Sequence, residues 1–146
     1  MRISEAMTSS VKMVDPENSI MEAARLMAER GIGVLPVAEG DRLVGMISDR
    51  DIAVRAVASG FGAETKVRDV MTSGVKYCFV DQPIDQVSEN MGDIQLRRLP
   101  VLDRNKRLVG IVALADIANC APDRDDPAVA LCGISRPGME ASRAPI

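Results

Sequence analysis

Leu43 to Ala58 reads LVGMISDRDIAVRAVA, and the shape of the whole chain follows from that stretch. Leu43, Val44, Met46 and Ile47 form a short apolar run, long enough for a buried strand and too short for a helix. Ser48 followed three residues later by Asp51 is the spacing of a capping box, so the strand is predicted to pass directly into a helix. Such a junction brings a hydroxyl and a carboxylate to a helix N-terminus, a place to hold something small and polar. The pattern then returns: Leu108-Val109-Gly110-Ile111-Val112 is followed by Ala113, Asp116 and Ile117-Ala118. The interval from Gly45 to Asp51 equals that from Gly110 to Asp116.

Outward from this stretch the recurrence continues. Ile3-x-x-Ala6-Met7-Thr8 matches Val67-x-x-Val70-Met71-Thr72, an offset of 64 residues from Met7 to Met71. Val11-Lys12, Ile20, Met27 and Leu35-Pro36-Val37 match Val75-Lys76, Ile84, Met91 and Leu99-Pro100-Val101 at the same offset. One extra residue in the next turn moves the offset to 65, from Gly45 to Gly110. A duplication is the reading that accounts for all of these matches.

Each copy has one plan, β-α-β-β-α. In the first, residues 11–14 read as a strand ended by Asp15-Pro16, and Ser19 caps a helix with Glu22 at the reciprocal position. Ile20, Ala23, Ala24 and Met27 line one face of that helix, and Gly31 stops it. Val34 to Ala38 and Leu43 to Ile47 form a hairpin across Glu39-Gly40-Asp41, and a second helix runs from about Asp49 to Ala58. The second copy predicts a strand near 75–80, a helix near 84–93, strands near 97–102 and 107–112, and a helix near 114–120. The division is residues 1–60 for the first repeat, 61–66 for a linker, 67–121 for the second repeat and 122–146 for a tail. Pro127 to Cys132 in the tail suits one or two helical turns, and Gly133 to Ile146 is expected to be flexible. Neither repeat is large enough to bury both faces of its sheet alone, so the two are expected to pack together.

Composition removes several function classes. With 47% apolar and 2% aromatic residues among 146, the core must be aliphatic and methionine-rich. A net charge of -3 gives no electrostatic case for nucleic acid. No apolar h-region follows Met1, and no apolar run reaches membrane-spanning length, so a soluble cytoplasmic protein is expected. The chain has no histidine, so a zinc site would need Cys78, Cys120 and Cys132 together with a carboxylate, and no CxxC supports one. The same lack removes the usual proton-transfer residue at neutral pH, and there is no nucleophile elbow, P-loop or GxGxxG. Asp49 and Asp51 do not share a helix face. A non-catalytic protein is predicted. Cys78 and Cys120 read as structural, and Cys132 as a tail thiol with nothing nearby to lower its pKa.

Met7-Thr8 and Met71-Thr72, the paired Leu-Pro-Val and Leu-Val-Gly triplets, Asp51-Ile52 and Asp116-Ile117 together resemble the CBS domain, present twice as in a Bateman module. The likeness covers about residues 3–120 in the right order, and is nearest to small stand-alone bacterial proteins of this family. It implies an α/β fold of tandem CBS repeats packed as a pseudo-twofold pair, dimerising into a flat disc. It also implies an adenine nucleotide (AMP, ADP or ATP) as a regulatory ligand in the cleft between repeats.

The family's ribose-binding pattern is Gly, two apolar residues, Ser or Thr, two more residues, then Asp, and Gly45 to Asp51 matches it. A carboxylate can accept from both ribose hydroxyls and a serine hydroxyl adds a contact. Read from the residues alone, Ser48 and Asp51 suit a plain capping box as well, and Ser48 can serve both purposes. The second copy keeps Asp116 but has Ala113 where the hydroxyl belongs, so two unequal sites are expected, with Ser48/Asp51 the better. Asp116 alone also suits the first turn of a helix.

Phosphate needs cations. Arg97 and Arg98 precede Leu99-Pro100 at a strand entry, where neighbouring side chains point to opposite faces, so one at most addresses the cleft. A solvated pair is the other reading. Arg50 lies on the helix after Ser48, and Arg55, four residues past Asp51, fits a helical ion pair. Family analogy puts adenine against Ser10, Val11, Val34 and Pro36. With no effector domain in the sequence, output would pass through a separate effector protein. Two alternatives stand beside this reading: a ligand-free dimerisation and docking module, or a site for S-adenosylmethionine or NAD.

Overall fold

The computed structural model describes residues 1–94 and 97–120. The expectations for the tail at 122–146, including its helical turns and the Cys132 thiol, lie outside the described residues.

Helix α1 (Ile3–Ala6) is followed, after an extended stretch, by α2 (Ile20–Arg30). Ser19 starts α2 by accepting from the Glu22 amide at 3.1 Å, and Gly31 ends it in the left-handed region at φ 64°. Strands β1 (Val34–Glu39) and β2 (Arg42–Ser48) pair antiparallel across a turn at Gly40, whose φ is 66°. A short α3 (Asp49–Asp51) opens the next helix, which continues as a π-helical segment, Ile52–Val57. The second half repeats the order: β3 (Cys78–Phe79), α4 (Ile84–Ile94), β4 (Arg98–Leu102), β5 (Leu108–Ala113) and α5 (Leu114–Cys120). Both hairpins carry a register shift at the same place, Val37/Ala38 and Val101/Leu102.

Two departures from the sequence expectation stand out. The first strand of each copy shrinks to a single bridge at Val14, parallel to Val37, and to the two residues of β3, parallel to β4. The helix predicted from Asp49 to Ala58 is α-helical for one turn only, after which bonds reach back five residues, as from the Ala58 amide to the Ala53 carbonyl at 3.0 Å.

By packing, the described residues form two units: Met1–Val11 with those from Lys76 onward, and Lys12–Val75. The leading residues of each sequence repeat therefore pack with the body of the other repeat. In the first unit Ile3 donates to the Gln82 carbonyl at 3.0 Å, and Thr8 exchanges amide bonds with Ile111 of β5 at 2.9 and 3.0 Å. In the second, the Val67–Asp69 turn and Thr72 do the same, Thr72 exchanging bonds with Met46 of β2 at 2.8 and 3.0 Å. The residues of the expected linker are engaged as well, since the Thr65 carbonyl accepts from Ile20 at 2.8 Å.

The same crossing explains the repeated motifs. A Cβ added at Gly45 would lie 2.7 Å from Met71 Sδ and 2.8 Å from the Thr72 carbonyl oxygen. At Gly110 it would lie 2.6 Å from Met7 Sδ and 3.0 Å from the Thr8 oxygen. The Met-Thr and Leu-Val-Gly motifs are thus two sides of one contact, in which only glycine lets the leading segment reach the strand.

Each unit has its own core, and the cores occupy matching positions. One gathers Val14, Ile20, Ala23, Met27, Leu35, Val37, Ile47, Val67 and Val70, and the other Cys78, Ile84, Val87, Met91, Leu99, Val101, Val112, Ile3 and Ala6. Cys78 takes the place of Val14. It behaves as a small apolar residue, and burial pushes its thiol up to about 12. Its neighbours in sequence point outward: Tyr77 meets Phe79 edge-on at 5.6 Å, and Arg104 stacks over the Phe79 ring while making two bonds to Asp81. That guanidinium holds the Asp81 carboxyl below its ordinary value.

Candidate functional site

The apolar alternation of β2 puts Ile47 into the core and leaves Ser48 at the point where the strand ends. Ser48 has extended backbone angles, and α3 starts at the next residue. The capping box is complete: the Asp51 amide donates to Ser48 Oγ at 3.0 Å, and the Ser48 amide donates to Asp51 Oδ2 at 3.0 Å.

Capping leaves capacity over. The Ser48 oxygen has accepted one bond and still carries a hydroxyl proton to give. Asp51 has used one oxygen, and its other, Oδ1, faces Arg55 Nε at 3.8 Å, an ion pair longer than a hydrogen bond. The Asp51 side chain is 17% exposed, so the carboxylate is not sealed in the core. One donor and one acceptor thus stand side by side at the end of a strand, the pair that a vicinal diol recognises.

The two readings of Ser48 and Asp51 are therefore compatible in space. Val34 is buried directly across the ladder from Ser48, and Pro36 is buried two positions further along, opposite Met46. The wall beside the polar pair is apolar, as a flat aromatic base requires. Arg50 is exposed, and its amide bonds the Asp49 carboxylate at 2.7 Å. Ser10, exposed, and Val11, half-buried, belong to the other packing unit.

The second copy keeps half of the arrangement. The Ala113 amide donates to Asp116 Oδ2 at 2.9 Å, the geometry of Ser48 and Asp51, while Ala113 has no hydroxyl to return. Arg98 sits directly across the ladder from Ala113, where the first copy has Val34 across from Ser48. Arg98 is half-buried, and among the described residues no ion pair or hydrogen bond engages its guanidinium. Arg97 is exposed, and its carbonyl accepts from the Leu114 amide at 2.9 Å. The second copy thus exchanges a hydroxyl for a cation.

Arg55 escaped the sequence reading as more than an ion-pair partner. Its Nη1 donates to the carbonyls of Val70 and Met71 at 3.3 and 3.2 Å, contacts 15 and 16 residues away that no local pattern signals. Among the described residues no group of three histidine, cysteine or acidic side chains could hold a metal ion. No helix among them is long and apolar enough to cross a membrane.

The architecture is that of an α/β unit present twice. The CBS domain profile matches the chain twice, at residues 3–57 and 67–123, and the chain belongs to the CBS domain family. It is 39% identical to the CBS domain-containing protein YhcV of Bacillus subtilis over 91% of this chain and 94% of that protein. It is 35% identical to hypoxic response protein 1 of Mycobacterium tuberculosis, covering 82% of this chain and 84% of the relative. The crystal structure of Hypoxic Response Protein I, which holds two coordinated zinc ions, superposes with a TM-score of 0.76 at 34% identity, over 84% of this chain and all of that one. The CBS domain pair of protein MJ0100 was solved with 5'-methylthioadenosine and S-adenosyl-L-methionine. It superposes with a TM-score of 0.71 at 30% identity, over 82% of this chain and 94% of that one.

Proposed function

We propose that this chain is a non-catalytic sensor that binds an adenine nucleotide and passes the signal to an effector protein. The observation that carries the reading is the unspent half of the capping box, a Ser48 hydroxyl proton beside Asp51 Oδ1. Ribose hydroxyls complement that pair, and the apolar wall at Val34 and Pro36 suits a purine. The adenosine ligands of the MJ0100 pair support the same class of ligand.

Arg98, half-buried and opposite Ala113, supports phosphate binding in the second copy, where Asp116 would keep the ribose contact. Loss of the hydroxyl contact there costs about 0.5–1.5 kcal/mol, and a charged bond from Arg98 is large enough to offset it for a phosphorylated ligand. Ligand binding would bias the module between two packings through its different affinity for each. The proposed assembly is a homodimer, with Val54 and Val57, exposed on the π-helical segment, as apolar surface for a second copy.

A second reading, a docking module with degraded sites, is favoured by Ala113. Calorimetric titration with AMP, ADP, ATP, NAD and S-adenosylmethionine separates the two. Binding of one of them in the micromolar range, lost in Asp51→Ala with the circular dichroism spectrum intact, is the expected result. An unchanged affinity in Asp51→Ala sinks the site assignment, and no binding by any of the five leaves the docking module.

A further inference from the structure

Arg55 is half-exposed, with 53% of its side chain open to solvent, yet its guanidinium is aimed in two directions. Nε faces Asp51 Oδ1 at 3.8 Å, and Nη1 divides its donation between the carbonyls of Val70 and Met71. Those carbonyls belong to the leading segment of the second repeat. The rest of that segment is held to the body of its unit by the buried Val67 and Val70 side chains, by an ion pair between Arg68 and Glu17, and by backbone bonds. The Val67 amide bonds the Asn18 carbonyl at 2.8 Å, Arg68 bonds the Pro16 carbonyl at 3.0 Å, and Thr72 pairs with Met46. Met46 lies two residues before Ser48 on the same strand. The segment therefore runs past the candidate ribose site and is tied to it twice, by the strand ladder and by Arg55.

The two ties differ in kind. The ladder is backbone to backbone and indifferent to what Asp51 binds. The Arg55 tie passes through the carboxylate itself. A guanidinium is planar, so turning it toward Oδ1 also turns Nη1, and the orientation that serves the carboxylate is the one that reaches the carbonyls. The other repeat has no arginine at the matching position, where Cys120 stands four residues after Asp116, and none of the described residues supplies a counterpart.

We infer that Arg55 is a positioning residue that couples the Asp51 carboxylate to the Val67–Thr72 segment. The charge on Asp51 holds the guanidinium over the Val70 and Met71 carbonyls. A ligand hydroxyl donating to Oδ1 fixes the carboxylate rotamer, and with it the guanidinium, and so tightens the segment. This last step rests on the adenine-nucleotide reading; the coupling itself does not. The first repeat thereby owns a route from its site to the chain that leads into the other packing unit, and the described residues of the second repeat hold no matching route.

Hydrogen exchange measured by mass spectrometry on the full chain, for peptides covering residues 66–73, tests both parts. Wild type, Asp51→Asn, Arg55→Ala and the double variant form a cycle without ligand. Asn keeps an oxygen for the Ser48 amide and loses only the charge, so the fold is retained. Asp51→Asn is expected to speed exchange in these peptides about fivefold when Arg55 is present, the change expected from weakening one charge-assisted bond. In the Arg55→Ala background it should add nothing. Equal effects of Asp51→Asn in both backgrounds would overturn the coupling. Arg55→Lys, which keeps the charge but not the fork, should lose the protection as Arg55→Ala does; full protection in the lysine variant would refute the planar-fork argument.

A second arm adds AMP at saturation, established by calorimetry on each variant. Slower exchange at 66–73 in wild type but not in Arg55→Ala supports the ligand step, and equal slowing in both overturns it. If AMP does not bind wild type, the sensor reading fails for this ligand while the ligand-free cycle still decides the coupling.

Discussion

Replacing Gly45 by alanine attacks the contact that joins a leading segment to its strand. The new Cβ would lie 2.7 Å from Met71 Sδ and 2.8 Å from the Thr72 carbonyl oxygen. The thioether is the far end of a flexible side chain and can swing aside at little cost. The carbonyl cannot. It must retreat by about 0.6 Å to reach ordinary contact at 3.4 Å, and it is the acceptor of the Met46 amide at 3.0 Å. That retreat stretches the bond past useful length. Overpacking costs about 1–3 kcal/mol and the weakened bond about 0.5–1.5 more, giving about 1.5–4.5 kcal/mol in all.

For a chain of this size such a loss lowers Tm by on the order of 10 °C, read by far-ultraviolet circular dichroism. Gly110→Ala meets the Thr8 oxygen at 3.0 Å and so asks for a smaller retreat, and its loss should be smaller. Adding Met71→Ala to Gly45→Ala should restore little, because the carbonyl remains in the way. A Gly45→Ala protein melting within 2 °C of wild type, or full rescue by Met71→Ala, would refute the reasoning.

Restoring the missing hydroxyl with Ala113→Ser should stabilise the chain by about 0.5–2 kcal/mol, and Ser48→Ala should lose a similar amount, both read by urea denaturation. Because the Cys78 thiol lies near 12 when folded and near 9 when unfolded, the unfolded chain gives up its proton first. The Cys78 contribution to stability is therefore flat below about pH 9 and falls between about pH 9 and 12, while Cys78→Val, which copies Val14, should remove that part of the fall. At pH 8, iodoacetamide should leave Cys78 unmodified in the folded protein, as peptide mass spectrometry would show. The Asp81 carboxyl, held down by Arg104, contributes stability above its ordinary range that is lost as pH drops through its lowered value. An NMR titration should show its midpoint rising in Arg104→Ala.

Much of this was legible in the residues because it is local. Ser19, Ser48 and Gly31 mark helix ends through bonds spanning three to five residues, and the hairpins follow from alternation around Gly40 and its counterpart turn. The repeat itself exposed the equivalent cores. The crossing was not legible, since Ile3 and Val67 occupy the same place in two similar copies, and exchanging them leaves no trace in the pattern. The π-helical segment was missed because six residues hold too little periodicity to separate one helical pitch from another. The partial ladders at Val14 and β3 are set by what packs beside them, which no strand propensity encodes. At the site, Asp51 was readable from spacing, whereas the second role of Arg55 depends on carbonyls brought near only by folding.

Because each copy lends its opening residues to the other, the boundary of the inherited unit and the boundary of the folding unit do not coincide. A fragment cut at the inherited boundary, residues 1–60, would carry Met7 and Thr8 with no Gly110 to receive them, and would leave the open edge of β2 bare. An ancestor holding a single copy faced the same want, and a second molecule of itself, trading opening segments, would have met it. The repeat holds both partners of that trade within one polypeptide. Two copies in one chain can also differ, and Ser48 and Ala113 stand at equivalent corners with different chemistry.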